Sequence, residues 1–457
     1  MTPRPQESTV ESWNPASGPA SRARTVIAFL MFGLSVMSYF DRTIMSIAGP
    51  AIIREFRLSA TGMGTVYSAF TLGYALLMIP GGRFADRFGP RRVLTVMALG
   101  SALFTALTAL GAKPGLGSYL GIIPALILVR LGFGFCTAPL YPTCGRMNAN
   151  WMPSSLRARV QGFVNAGAGL GGAVAPILFA VLIAGAGWRA SFCLAAVATA
   201  ALGILWFLYT RDTPAEHAAP DCVAEERITP LRVASLSPAA PWRMLAANPN
   251  VILLAIGYFM VGYFQYIFFY WIYYYLGEIR KLTVSQSAGY TTALFLVFGF
   301  MMSAGGWISD RMVIRYGRKA GYRIVGASGL GLSAALLYAG VNAREIHLAV
   351  ALMCLALGCS AISDVTFWAA AISVGGQEVG LTCGILNTGG NIGGLISPIA
   401  SPLIAASFGW PAALYFGSVM AGIGMVTWLW IDATRTIDQP AAHRLPTPSE
   451  LPLERAT

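Results

Sequence analysis

The chain has 457 residues, of which 56% are hydrophobic and only 11% charged. A soluble domain carries about 25% charged residues, so this composition excludes one and indicates an integral membrane protein. The formal net charge of +12 would suggest nucleic acid in a soluble protein, but Arg and Lys retained on the inner side of a membrane explain it without such a partner.

Residues 1–24 are polar and Pro/Ser-rich and form an expected N-terminal tail. Twelve apolar stretches follow, the first six at 25–49, 62–82, 92–111, 118–141, 157–183 and 188–209. Residues 210–249 break the hydrophobicity with Pro, Ala and charge, and read as a cytoplasmic linker. The other six stretches lie at 250–276, 286–309, 323–341, 346–371, 379–406 and 410–431, leaving 432–457 as a C-terminal tail. The expectation is an all-α membrane protein whose six-helix halves span 25–209 and 250–431. Arg and Lys concentrate in the loops that lie on the same side as both ends, which places both termini in the cytoplasm of a cell with this protein in its inner membrane.

Six cysteines (Cys136, Cys144, Cys193, Cys354, Cys359 and Cys383) sit inside apolar stretches, with neither a disulfide framework nor zinc-ligand spacing. No metal or cofactor is expected. The three histidines lie in the linker, at a span end and in the tail, which leaves no constellation for a membrane enzyme. No G-x4-GK[ST] sequence is present, so ATP is not the energy source.

Asp41 and Arg42 interrupt the first span, and Arg130 lies inside the fourth. Each ionisable group near mid-membrane costs about 2.5–3.5 kcal/mol on insertion scales, so such groups face a partner or a cavity. Two readings follow: a buried Asp–Arg ion pair that locks helices together, or the lining of an anion site.

The halves repeat. GFVNAGAGLGGAVAPI (Gly162–Ile177) matches GILNTGGNIGGLISPI (Gly384–Ile399) at an offset of 222, so Asn165 corresponds to Asn387. GRFADR (Gly82–Arg87) matches GWISDR (Gly306–Arg311) at 224, which pairs Asp86 and Arg87 with Asp310 and Arg311. Two halves running in the same direction imply a pseudo-two-fold axis along the membrane normal, with the site between them near the midplane. The G-x-G-x-x-G at Gly167–Gly172 lies inside a span rather than after a strand, so it serves close helix packing and not dinucleotide binding. Asn165, Asn387 and Asn391 then have two roles open to them, hydrogen bonds between helices or contact with substrate hydroxyls.

Span seven carries an aromatic run in which Tyr266, Tyr270 and Tyr274 share a face, with Tyr273 to Tyr275 suited to the membrane interface. The offset of 224 sets Gln265 opposite Asp41 and Tyr266 opposite Arg42. Asp364 in span ten, close to Trp368, is read either as a titrating group or as a cap on the inner vestibule. Glu278 is set aside as an outer-rim residue. Between spans two and three, Gly82 and Gly89 allow a tight turn and Asp86 can accept from helix N-terminal amides. Arg87, Arg91 and Arg92 hold that loop on the cytoplasmic side.

The loop Gly82-x3-Asp86-Arg87-x-Gly89-x-Arg91-Arg92, its second-half echo and the twelve-span layout resemble the major facilitator superfamily. Tyr39-Phe40-Asp41-Arg42, Arg130, Ala138-Pro139-x2-Pro142 with Arg146, Trp151-x-Pro153 and Asn387-x2-Gly390-Asn391 resemble its anion:cation symporter branch. That branch includes carriers of hexuronate, galactonate, glucarate, tartrate and aromatic acids. The resemblance implies a gating latch at the loop, with Asp86 its main element, and a substrate contact at Tyr74. The chain departs from the branch at Thr137, where a Glu is usual, and at Gly167, where some relatives place a polar group.

The resulting expectation is a monomeric secondary transporter that takes up a small organic anion, a sugar acid or related carboxylate, by proton symport. Arg42 and Arg130 would bind the carboxylate, since a guanidinium fork matches it bidentately. Tyr39, Tyr74, Gln265, Tyr266, Tyr270, Trp368, Asn387 and Asn391 would complete the substrate site. Asp41, as the principal carrier, and Asp364 would couple protons. The alternatives are an exporter of drugs or aromatic compounds and a transporter-like sensor.

Overall fold

The computed structural model describes residues 19–110, 116–217, 248–375 and 379–435, apart from a few side chains. The described residues form long helices. They are α1 (Pro19–Phe56), α2 (Ala60–Phe88), α3 (Pro90–Leu110) and α4 (Ile122–Trp151), the last with a turn at Ala138 and Pro139. Ser154–Tyr209 runs nearly continuously but breaks at Gly187, whose φ of 77° is open to glycine, giving α5 (154–186) and α6 (188–209). In the second half come α7 (Pro249–Ile279), then Val284–Asn342 broken at Gly317 (φ 78°) into α8 (284–316) and α9 (318–342). The last three are α10 (Ile346–Gly375), α11 (Val379–Phe408) and α12 (Trp410–Thr427).

Among the described residues, nine helical stretches are long and apolar enough to cross a membrane. The two glycine breaks divide two of these, and α2 joins them, so the described residues hold the twelve expected spans. Helix and apolar stretch are not coextensive, however. α1 begins at Pro19, inside the expected tail, because bilayer thickness limits the apolar length and not the helix. Beyond α12 the chain stays docked: Asp432 is buried and its N–H donates to Asn250 Oδ1 at 2.8 Å. The rest of both expected tails and most of the linker lie outside the described residues.

Packing inside each half depends on backbone contact. A side chain at Gly167 or Gly171 of α5 would strike the carbonyls of Phe32 and Val36 on α1. One at Gly389 or Gly393 of α11 would strike those of Ala255 and Phe259 on α7. Small residues four apart let helices approach this closely, where dispersion and weak polar contacts replace the missing hydrophobic drive. Gly167 is therefore a packing residue, which accounts for the absence of a polar group there.

The halves meet along α1–α7, α2–α11 and α5–α8. Contacts gather at the end that carries the α1–α2 turn. Ser68 Oγ donates to Leu395 O at 2.6 Å, and Thr292 Oγ1 donates to Ala173 O at 2.8 Å. Tyr67 stacks on Tyr270 with centroids 4.8 Å apart, and Arg54 pairs with Glu278.

Candidate functional site

α1 carries the two charges at its middle, and helical geometry separates them. Successive residues point about 100° apart around the axis, so Asp41 and Arg42 face different neighbours. Asp41 is 0% exposed and turns toward α3 and α6, where Thr199 Oγ1 donates to its Oδ2 at 2.8 Å and Thr105 lies close by. Arg42, 8% exposed, turns toward the other half. The ion-pair reading is not realised: among the described residues no ion pair includes Asp41, Arg42 or Arg130.

The Arg42 guanidinium lies among four rings, with centroids at 4.9 Å (Phe70), 5.0 Å (Tyr266), 5.5 Å (Tyr39) and 5.6 Å (Phe269). Its Nη2 donates to the Tyr266 hydroxyl at 2.5 Å. Arg130, 1% exposed, lies over Phe133 (4.8 Å) and Phe70 (5.5 Å), and its Nη2 points to the Arg42 carbonyl oxygen at 3.5 Å. The Nε of both arginines has no partner. Cation–π attraction is worth about 0.5–2 kcal/mol per contact, whereas burying an ion costs several kcal/mol after relaxation. Asp41 acts on Arg130 without touching it, so the two guanidiniums together keep a net positive charge, and an anion placed here would supply the counter-charge.

The site residues expected from sequence fall into two clusters. Tyr39, Tyr74, Tyr266 and Tyr270 gather around the arginines. Tyr74 packs against Phe70, and Tyr270 roofs the group on the side of the α1–α2 turn, its hydroxyl unpartnered. Gln265 instead joins Asp364 and Trp368. Asp364 Oδ2 accepts from Gln265 Nε2 (3.1 Å), Oδ1 accepts from the Tyr258 hydroxyl (3.0 Å), and Trp368 Nε1 donates to the Tyr258 oxygen (2.8 Å). Asp364 thus belongs to a buried network rather than to a vestibule mouth. Asn387 and Asn391 join Trp368 and Thr71 in lining a cleft of 350 Å³ between α2, α10 and α11, whose lining does not include the arginines. Asn387 also reaches Met78 across the halves, whereas Asn165 is exposed and bonds within its own helix to Gln161. Thr137 donates to carbonyls of its own helix.

The loop between α2 and α3 ties down differently from expectation. Gly89 has φ 83°, and any Cβ there would collide with the Asp212 carboxylate, which accepts from Arg91 N at 2.7 Å. The Arg91 guanidinium donates to Phe207 O at 2.8 Å and lies over the Phe207 ring. Arg91 is therefore a strut to the end of α6, not only a topology anchor. Arg87, Arg92, Asp310 and Arg311 are exposed, with Arg311 over Trp307. Gly82 and Asp86 lie in the last turns of α2 rather than in a loop, and the side chain of Asp86 lies outside what is described.

Sequence reasoning missed Tyr258, Asp212, Phe70 and Phe269, and it set Glu278 aside without its partner Arg54. Tyr258 lies seven residues before Gln265 on one helix face, and Glu278 lies 224 after Arg54, so both had a usable signal. Phe70 and Phe269 had none, because a phenylalanine facing a cation reads like one facing lipid.

The family model of the Major Facilitator Superfamily matches residues 31–375 and 312–454. A hexuronate transporter of Bacillus subtilis (strain 168) is 30% identical over 397 residues, covering 85% of this chain and 90% of that protein. A probable sulfoacetate transporter of Cupriavidus necator is 28% identical over 92% of this chain and 96% of its own length. Among solved structures, a bacterial homologue of the human lysosomal transporter Spinster, inward-facing and occupied, superposes with a TM-score of 0.74. It shares 17% identity over 92% of this chain and 98% of that one, a likeness of fold alone. Repeat, helix layout and family match agree: the chain is a multi-pass membrane protein of the Major Facilitator Superfamily, a transporter and not an enzyme.

Proposed function

We propose that the protein takes up a small organic anion, a sugar acid or related carboxylate, by proton symport, as a monomer in the inner membrane with both termini cytoplasmic. The observation that carries this reading is the pair of buried guanidiniums, Arg42 and Arg130, without a carboxylate partner. A substrate carboxylate supplies the missing charge and accepts two parallel N–H bonds from a fork. The hydroxyls of Tyr39, Tyr74, Tyr266 and Tyr270 then serve the substrate's own hydroxyls, and the rings stack on its C–H faces. Two like charges in one cage disfavour cationic drugs, which weighs against the exporter alternative. The relatives named for hexuronate and sulfoacetate both concern carboxylate-bearing anions.

In this reading the α1–α2 end is the outer one, and the contacts gathered there close the carrier to the outside. Asp41 acts on Arg130 from behind, as a fixed counter-charge held by Thr199.

The test is uptake of labelled glucuronate and of sulfoacetate into proteoliposomes, with calorimetric binding to Arg130→Lys beside it. Lysine keeps the charge but loses the fork. A lost charge-assisted bond is worth about 1.5–3 kcal/mol, so affinity should fall about 10- to 150-fold. Near-normal binding by Arg130→Lys, or wild-type protein that binds neither anion, would overturn the reading. Binding without flux would make the protein a sensor instead.

A further inference from the structure

The second half buries one carboxylate that the anion site does not use. Asp364 is 6% exposed, and its three-residue network consists wholly of neutral groups: Tyr258 and Gln265 donate to it, and Trp368 donates to Tyr258. Ser360 Oγ lies 3.5 Å from the Gln265 amide. No ion pair among the described residues includes Asp364. From α7 the titratable neighbours are Tyr258 and Tyr266. α8 and α9 approach this stretch of α10 through Gly305, Gly326 and Gly329, and α11 brings the neutral amides Asn387 and Asn391 to the adjoining cleft.

We propose that Asp364 is the proton-binding site of the transport cycle, with Gln265 as the residue that senses its state. This rests on the organic-anion reading for its transport arm only. An ionised carboxylate without a cationic partner is costly in a membrane interior, and a proton taken up on one of its oxygens removes that charge. A primary amide suits both states: its NH2 donates to the carboxylate, and turned over, its carbonyl oxygen accepts from the acid's O–H. Protonation forms one O–H bond on Oδ2, and no electrons are exchanged. Gln265 is followed on α7 by Tyr266, which holds Arg42. Residues that contact the proton and anion sites are thus adjacent on α7, which is the route by which loading one site is felt at the other.

Charge balance points the same way. The empty pair of sites holds Asp41, Asp364, Arg42 and Arg130, two charges of each sign. A monoanion on the arginines and a proton on Asp364 leave the sum at zero. The loaded and empty carriers then both reorient without moving net charge through the bilayer. Asp41 does not share the position of Asp364: it faces α3 and α6 within the first half, where Thr199 donates to it.

The test has two arms in full-length protein. Infrared difference spectra across a pH titration, with no substrate present, should show a carboxylic C=O band that is absent from Asp364→Asn and shifted in Asp364→Glu. In proteoliposomes with a one-unit pH gradient, one coupled proton supports about tenfold accumulation of glucuronate. The ratio of uptake with and without the gradient should fall to about one in Asp364→Asn and recover in Asp364→Glu. Because it is a ratio, it does not depend on how much variant protein folds. An unchanged band in Asp364→Asn, a persisting pH-gradient ratio, or stimulation by a sodium gradient in place of the proton gradient would overturn the proposal. Failure of wild-type protein to move glucuronate would defeat the substrate reading, while the infrared arm still decides the proton site.

Discussion

Substituting Gly64 by alanine should unseal the α1–α2 end. Gly64 lies on α2 and meets α11 backbone to backbone. A Cβ there would fall on the Pro398 carbonyl oxygen, 2.9 Å from its carbon and 3.3 Å from the Ile399 Cα. No flexible side chain is available to yield, so α2 and α11 must move apart. Overpacking of this kind costs about 1–3 kcal/mol. Because α2 and α11 belong to different halves, that cost falls on the closed arrangement and spares the packing inside each half. An equilibrium biased by 1–3 kcal/mol shifts about 5- to 150-fold. Spin labels placed on α2 and α11 at that end should report the shift as a population at longer distance in double electron–electron resonance. Gly134→Ala is the control. Its Cβ would strike the Phe70 carbonyl, inside the first half, so it should lower the melting temperature without redistributing distances. If Gly64→Ala leaves the distance distribution unchanged and only melts earlier, Gly64 is a packing residue and the gate reading is wrong.

The Arg54–Glu278 pair crosses the same end, but its side chains are 64% and 31% exposed, so it contributes at most about 1 kcal/mol. Arg54→Glu should shift the distance distribution less than Gly64→Ala does, and Arg54→Glu combined with Glu278→Arg should restore it; an effect that ignores added salt would count against an ionic cause. At the opposite end, burial would raise the Asp432 carboxyl, but bonds from Thr434 and Lys319 outweigh it and hold the group at about 2, below its ordinary value of 3.8. A depressed folded value stabilises the protein above the unfolded one, so the contribution should be full above about pH 4 and vanish as pH falls through about 2. Melting curves of wild type and Asp432→Asn should therefore differ at neutral pH and converge in acid; a constant gap would remove the Asp432–Lys319 contact as the cause.

The spans, the repeat and the arginines were legible because the bilayer enforces them. A run of apolar residues long enough to cross must be a helix, and a charge inside it must face something. What each residue faces was not legible, because lipid and packed protein interior both accept apolar side chains and erase the one-sided pattern of a soluble helix. Asp41 shows the consequence. Next to Arg42 in sequence it reads as part of the same site, yet one step along the helix turns it to Thr199. Asp364 was placed by its distance from the helix end, a measure blind to Tyr258 on another span. Asp212 was assigned to the linker by composition, although it docks on the turn at Gly89.

The offset of 224 explains why the two halves differ where they touch. Residues on a pseudo-two-fold axis meet their own counterparts: Arg42 bonds to Tyr266, and Arg54 pairs with Glu278, each 224 apart. Identical residues at such positions would set guanidinium against guanidinium, and like charges repel most strongly where water is scarce. Off the axis the constraint lifts. Ser68 to Leu395 and Thr292 to Ala173 are the same bond made twice, a hydroxyl on one half donating to a carbonyl on the other. Sealing can therefore be duplicated, while chemistry on the axis has to be divided between the halves. That division places both guanidiniums in the first half and leaves the neutral network around Asp364 to the second. In the proposed reading, substrate charge and coupling proton lie on opposite sides of the surface that opens and closes, joined through Gln265 and Tyr266 on α7.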